Sequence, residues 1–359
     1  MVYGGYSASR GLTVADYPNQ NVYVSWNNVY HNVGNPDINN KHTGNGVVVS
    51  QTATSIIERN VAHYNGELND NPNGGPVGIW YWDSLNCVIQ YNESHHNKSL
   101  TQDGGGIDLD GGVRNCAIQY NYTHHNFGGG YLIAQFDNAP TMKNVSVRFN
   151  ISENDARRGM GTGSISIWNG DTGGPAITGL KIYNNTIFTD GSVDNPFNRT
   201  MTAISIFGSA PVSGSGATNN IFFVKNALLL SQSNLNAEFG FHGNSYYNAS
   251  GTFHIGYKGT AYSTLSAWQN ATGQETFGGV PTGTSVNPQL TAPGSAGTLN
   301  NAALLNTIIG YKLLPESPLI NAGFDLGWYG MSMGAHDFFD QPLPSAEGGE
   351  AYDIGAHEY

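Results

Sequence analysis

A short motif ending in asparagine recurs through the first two thirds of the chain, and this periodicity constrains the fold more than any other feature. The sequence reads Trp26-Asn27-Asn28, Glu58-Arg59-Asn60, Gln90-Tyr91-Asn92, Gln119-Tyr120-Asn121, Arg148-Phe149-Asn150, Tyr183-Asn184-Asn185 and Thr218-Asn219-Asn220. The last Asn of each returns after 32, 32, 29, 29, 35 and 35 residues. Alternating runs such as Cys87-Val88-Ile89-Gln90 and Cys116-Ala117-Ile118-Gln119 precede it. A second short strand lies earlier in each repeat: Val47-Val48-Val49, Ile79-Trp80-Tyr81-Trp82, Ile107-Asp108-Leu109-Asp110, Tyr131-Leu132-Ile133, Ile165-Ser166-Ile167 and Ile204-Ser205-Ile206. Short β-branched and aromatic strands, repeated at the length of one coil and without helical periodicity, are what a parallel β-solenoid needs. Asn suits such a repeat because it tolerates left-handed backbone and its amide can bond the amide of the next rung. An antiparallel sandwich would instead show tight turn signals about every 8–12 residues, and these are missing.

Composition agrees. Charged residues are only 11% of the 359, while 39% are hydrophobic and 11% aromatic, enough to build a core. The net charge of −12, with 14 Lys+Arg, argues against nucleic acid as a partner, because that affinity comes largely from cations on phosphate. No apolar run is long enough to span a membrane. Met1-Val2-Tyr3-Gly4-Gly5 has neither the basic nor the apolar stretch of a signal peptide, so a mature form or a piece of a longer chain is expected, with earlier rungs missing. Cys87 and Cys116 occupy equivalent repeat positions; a filled core column is expected ahead of a disulfide.

The repeat decays after about residue 250. Residues 251–359 read as irregular final rungs and a C-terminal cap in the same domain as the coil of residues 1–250, which holds about eight rungs. The stretch 262–269 is amphipathic. The tail segments Ser317-Pro318-Leu319-Ile320-Asn321-Ala322-Gly323 and Tyr352-Asp353-Ile354-Gly355-Ala356-His357-Glu358-Tyr359 look like the element that covers the last open rung. These rungs and this ending resemble the right-handed parallel β-helix proteins of the pectate-lyase-like superfamily, over nearly the whole chain. The resemblance implies an all-β right-handed parallel β-helix, a polysaccharide partner, a monomer, and a secreted or cell-surface location. It does not choose among lyases, hydrolases, epimerases and adhesins.

Alternation along the first strand of each repeat selects an outer column once the aliphatics are placed inside. It runs Val48 and Ser50, Trp80 and Trp82, Asp108 and Asp110, Leu132 and Ala134, Ser166 and Trp168. Exposed indoles suit the flat faces of sugars, so Trp80, Trp82 and Trp168 are candidate sugar platforms unless a loop such as the 66–76 insert covers them. Asp108 and Asp110 share one strand face with Cα atoms about 6.6 Å apart, which fits the carboxylate pair of glycoside hydrolysis. Asp83, at the end of the preceding outer run, and Asp103 are the nearest further carboxylates, and Asp83 joins the pair as a catalytic candidate. The alternative is Ca²⁺ held by Asp103, Asp108 and Asp110. In the calcium-dependent lyases of the resembled superfamily a Lys or Arg takes the proton. Here no Lys stands in the column, and Arg114, Lys98, Arg157 and Arg158 would have to reach back from turns.

His31, His63, His95 and His124 each lie three residues past the repeat Asn, with His96 and His125 following. A structural stack, each imidazole bonding a neighbouring carbonyl or Asn, is expected ahead of a metal or proton ladder, with His95 or His124 bordering the groove beside the carboxylates as substrate-binding candidates. The sequons at Asn92, Asn121 and Asn150 coincide with the repeat Asn and read as core amides. The resulting expectation is a glycoside hydrolase, with a Ca²⁺-dependent lyase and a non-catalytic glycan-binding module as alternatives.

Overall fold

A computed structural model describes residues 13–159, 161–193, 196–329, 333–344 and 351–359; the N-terminal reading of Met1–Gly5 lies outside them. Three parallel sheets wind around one core. The first contains the strands Val47–Ser50, Val77–Trp82, Gly105–Asp110, Tyr131–Gln135, Ile165–Asn169, Thr202–Gly208, Leu228–Gln232 and Ile255–Tyr257, closed by an antiparallel Thr260–Tyr262. The second carries the alternating runs, including Ile56–Glu58, Val88–Gln90, Ala117–Gln119, Ser146–Arg148 and Lys181–Tyr183. The third is eight-stranded and includes Val61–His63, Glu93–His95, Tyr122–His124, Ile151–Glu153 and Thr186–Asp190.

Register follows the sequence repeat. Ile57, Ile89, Ile118, Val147 and Ile182 stack in one inward column, and Ile79, Ile107, Tyr131, Ile165 and Ile204 in another. All ten are fully buried, and each such side chain contributes about 1.5–3 kcal/mol by leaving water. Cys87 and Cys116 are free thiols in the same core, with the Cys87 N–H directed at Cys116 Sγ at 3.4 Å.

The repeat asparagines form a ladder one side chain wide. Nδ2 donates to the Oδ1 of the next rung from Asn27 to Asn60, Asn92, Asn121, Asn150, Asn185, Asn220 and Asn244, at 2.8–3.1 Å throughout. Every donor points the same way, so the last amide needs an acceptor from outside the ladder. Glu275 supplies it, accepting from Asn244 at 2.7 Å and from the Tyr246 hydroxyl at 2.8 Å. A second ladder, Asn32 to Asn65, Asn97 and Asn126, ends likewise on Asp155 at 2.8 Å. Burial pushes Glu275 up to about 7 and Asp155 up to about 6. Asn92, Asn121 and Asn150 are thus core amides, as their coincidence with the repeat implied.

Two expectations are corrected. In the first repeat the ladder residue is Asn27, not Asn28, so the coil is 33 residues long and His31 falls out of the histidine column; Tyr30 pairs with His63 instead. The end of the coil is closed by the helix Leu265–Thr272, the amphipathic stretch of the sequence, and not by the tail. Trp268 is fully buried against Phe241, Tyr246 and Tyr257. The tail runs along the outside of the third sheet, where Tyr311, Leu313, Leu319, Phe338 and Ile354 cover Tyr122, Ile151, Phe188, Ile221 and Phe223. An outward apolar face on that sheet needed a lid along its length, and a segment some 70 residues long supplies one. Among the described residues no helix is long and apolar enough to cross a membrane.

Candidate functional site

The outer column of the first sheet has the register read from the sequence. Asp108 pairs with Trp80 on one side and Leu132 on the other, Asp110 pairs with Trp82, and Ala134 pairs with Trp168 and so leads on to Phe207. The side chains divide into two rows with different access to water. In the inner row Trp80 is 8% exposed and Asp108 3%. In the outer row Trp82, Asp110, Trp168 and Phe207 remain half-exposed.

The inner row is roofed by loops. His42 stacks on Trp80 at 5.9 Å, and the indole N–H donates to Asn45 Oδ1 at 3.1 Å. The 66–76 insert lies over His42, since a Cβ on Gly74 would come within 2.8 Å of its Nε2. Gly75 N–H in turn donates to Asp103 Oδ2 at 2.7 Å. Trp80 is therefore a packed residue and not an open sugar platform, which corrects the expectation. His42 and Asn45 were not legible in advance, because only the folded loop brings them onto a strand some 35 residues away.

Burial under this roof governs the acids. It holds Asp108 well above the ordinary carboxylate range, reinforced by Asp110 and Asp103. Asp110 is pushed up to about 7, by burial and by Asp103, against the opposing 2.6 Å hydrogen bond from Gly111 N–H. Asp103 is raised by burial too. Asp108 Oδ1 is buried with no hydrogen-bond partner among the described residues. A protonated carboxyl tolerates that environment and a carboxylate does not.

Other candidates are placed elsewhere. Asp83 is fully buried at a left-handed turn with φ 42°, its N–H donating to Gly111 O, so it leaves the outer face where its strand ends. Arg114, expected among the substrate-binding residues, is buried, and its guanidinium donates to the Tyr17 hydroxyl at 3.2 Å. His95 and His124 sit on the third sheet, fully buried beneath the C-terminal segment, and do not border these acids. Their rings stack at 4.5 Å as one run of a ladder with His63. Burial lowers His63 and holds His95 near 3, with His124 also well below the usual imidazole range. Lys98 lies over Phe127 and Arg158 binds the Ser99 and Leu100 carbonyls.

The residues expected to hold Ca²⁺ do not fit that role. Asp103 and Asp110 each have an oxygen engaged by a backbone N–H. Among the described residues, the trio of potential ligand groups with atoms within 4.8 Å of one another is His95, His96 and His124, not the three aspartates. Ca²⁺ needs six to eight gathered oxygens.

Sequence reading missed two acids. Asp137 and Asp171 are exposed just past the ends of the next two strands of the first sheet, and Asp171 N–H donates to Asp137 Oδ1 at 3.0 Å. Their signal was positional: an acid at or just past the end of each successive strand, as at Asp83 and Asp110. A separate open depression, lined by Thr291, Lys312, Pro315, Gln341 and Tyr359, lies on the C-terminal segment and has no part in this cluster.

No family model and no curated protein matches the chain. Among solved structures it is similar to a pectate lyase bound to hexasaccharide, at 13% identity and a TM-score of 0.36, over 80% of this chain and 67% of that one.

Proposed function

We propose that this parallel β-helix degrades a polysaccharide, gripping it along the outer row of the first sheet and using Asp110 as the proton donor. The observation that carries the reading is the placement of Asp110: half-exposed, held near neutral pKa, and one rung from Trp82. Trp82 and Trp168 stand three rungs apart, about 14 Å at a rung spacing of about 4.8 Å. The positions between them are filled by Asp110 and the small Ala134. Two half-exposed indoles with an acid and a dip between them suit a chain of flat rings that must approach the acid closely.

Glycoside hydrolysis is the chemistry we favour. A carboxyl that keeps its proton near pH 7 can protonate the leaving glycosidic oxygen, and a second, ionised carboxylate attacks or activates water. Asp108 is too buried for that second role, and the neighbouring acid that helps to raise Asp110 is Asp103. Asp137, exposed beyond the next strand, is the candidate for the base or nucleophile. The paired-aspartate assignment therefore becomes Asp110 with Asp137, and Asp108 behind them.

The roof over Trp80 and Asp108 favours a second reading, a non-catalytic glycan-binding module. A panel of plant and algal polysaccharides distinguishes the two. Under our reading the chain releases reducing sugars without the ultraviolet absorbance of a 4,5-unsaturated end, EDTA has no effect, and Asp110→Asn abolishes the release. Retardation on a glycan affinity gel without turnover on any polymer would establish the binding module. Unsaturated products lost on adding EDTA would establish a lyase.

A further inference from the structure

The third sheet carries a cluster that the polysaccharide site does not use. His95 and His124 end adjacent strands, and His96 and His125 follow each of them at the turn. The four rings form two stacked pairs, His95 on His124 at 4.5 Å and 9°, and His96 on His125 at 5.2 Å and 5°. Within each rung the two rings are nearly perpendicular, at 88° and 83°. This arrangement turns nitrogen toward nitrogen. His95 Nδ1 lies 2.9 Å from His96 Nδ1, and His124 Nδ1 lies 3.1 Å from His125 Nδ1. One ring nitrogen from each of His95, His96 and His124 lies within 4.8 Å of the others.

The opposite ring atoms decide what these nitrogens offer. His95 Nε2 is 3.1 Å from Asn300 Oδ1, and His124 Nε2 is 3.2 Å from Glu93 Oε1. Both face oxygen acceptors, and Glu93 Oε1 is itself fixed by the Leu299 N–H at 2.8 Å. Each neutral ring then carries its proton on Nε2 and presents the Nδ1 lone pair to the cluster. An imidazole oriented by a carboxylate or amide oxygen on its far nitrogen is the arrangement that supports metal-bound histidine. A tetrahedral ion with bonds of about 2.0–2.1 Å sets its ligand nitrogens about 3.3 Å apart, close to the spacings within the two rungs. His96 and His125 are half-exposed, which leaves an entry path, while His95 and His124 are fully buried.

We propose that His95, His96 and His124 form a binding site for a first-row transition-metal ion such as Zn²⁺, with His125 beside it at 3.1 Å from His124 Nδ1. An all-imidazole set selects Zn²⁺, Cu²⁺, Ni²⁺ or Co²⁺ over Mg²⁺ and Ca²⁺, which require oxygen. Because its ligands come from two successive rungs, the ion ties those rungs together at the turn beneath the C-terminal segment.

The test uses the untagged chain. Equilibrium dialysis against Zn²⁺ with elemental analysis reads stoichiometry, and Co²⁺ reads geometry through the intense visible absorption of a four-coordinate centre. His96 and His125 adopt φ of 53° and 55°, and the next residue in that column is Asn154 at 55°. The double variant His96→Asn, His125→Asn therefore places at both turns a residue the coil already accepts there. We expect one Zn²⁺ per wild-type chain, a four-coordinate Co²⁺ spectrum, and a loss of at least about tenfold in Zn²⁺ affinity with loss of that spectrum in the double variant. Equal Zn²⁺ binding by wild type and double variant, or no uptake by folded wild type, overturns the site.

Discussion

At the scale of single residues, the raised carboxyls give the sharpest expectations. If Asp110 is the proton donor, turnover requires its protonated form, so kcat/KM should fall about tenfold per pH unit above about 7, the value to which burial and Asp103 push it. Asp110→Asn should lower kcat by about 10²–10⁴-fold and leave the thermal midpoint little changed. A flat alkaline limb in the rate profile would remove Asp110 from the acid role. Glu275 makes a different prediction. Its folded pKa, about 7, lies above the unfolded value of 4.5, so the folded chain holds the extra proton and stability is lost as pH rises from about 4.5 through 7. Glu275→Gln keeps an acceptor for Asn244 and Tyr246 without that charge. The variant's melting temperature should therefore gain on wild type between pH 5 and pH 8, read by calorimetry at both.

At the scale of elements, the asparagine ladder is a single cooperative object. Asn121 accepts from the N–H and Nδ2 of Asn92 and donates to Ile89 O, Gln119 O and Asn150 Oδ1. Asn121→Ala leaves several of these buried groups unpaired at about 1–3 kcal/mol each. We expect a loss of at least about 3 kcal/mol in denaturant melts, against nearly nothing for the exposed Asn40→Ala in the loop before the first strand of the first sheet. The end helix is tested by Trp268→Ala, which opens the terminal rung and should cost about 3–5 kcal/mol. Its stabilising contacts with Phe241, Tyr246 and Tyr257 have no substitute once the indole is gone.

At the scale of the whole molecule, the coil was legible because a solenoid repeats one local solution. Residues with the same neighbours above and below must obey the same pattern, so Asn60, Asn92 and Asn121 announce their register without any knowledge of the rest. The same logic gave the outer column and the pairing of Asp108 with Trp80 and Asp110 with Trp82. It failed at Asn27, where an adjacent Asn offered a second frame and only backbone pairing with Val61 selected the first.

The chain's own repeat thus determined the parallel coil, its core columns and the outward direction of the candidate acids. Tertiary structure alone decided which of those outward residues meet water. Loops and the C-terminal segment come from outside the repeat, and their resting place depends on contacts between residues far apart in sequence: His42 on Trp80, Gly75 on Asp103, Leu299 on Glu93. Periodicity reports the direction of a side chain; exposure depends on what is laid over it, and so Asp108 went under a roof while Asp110 stayed at its edge.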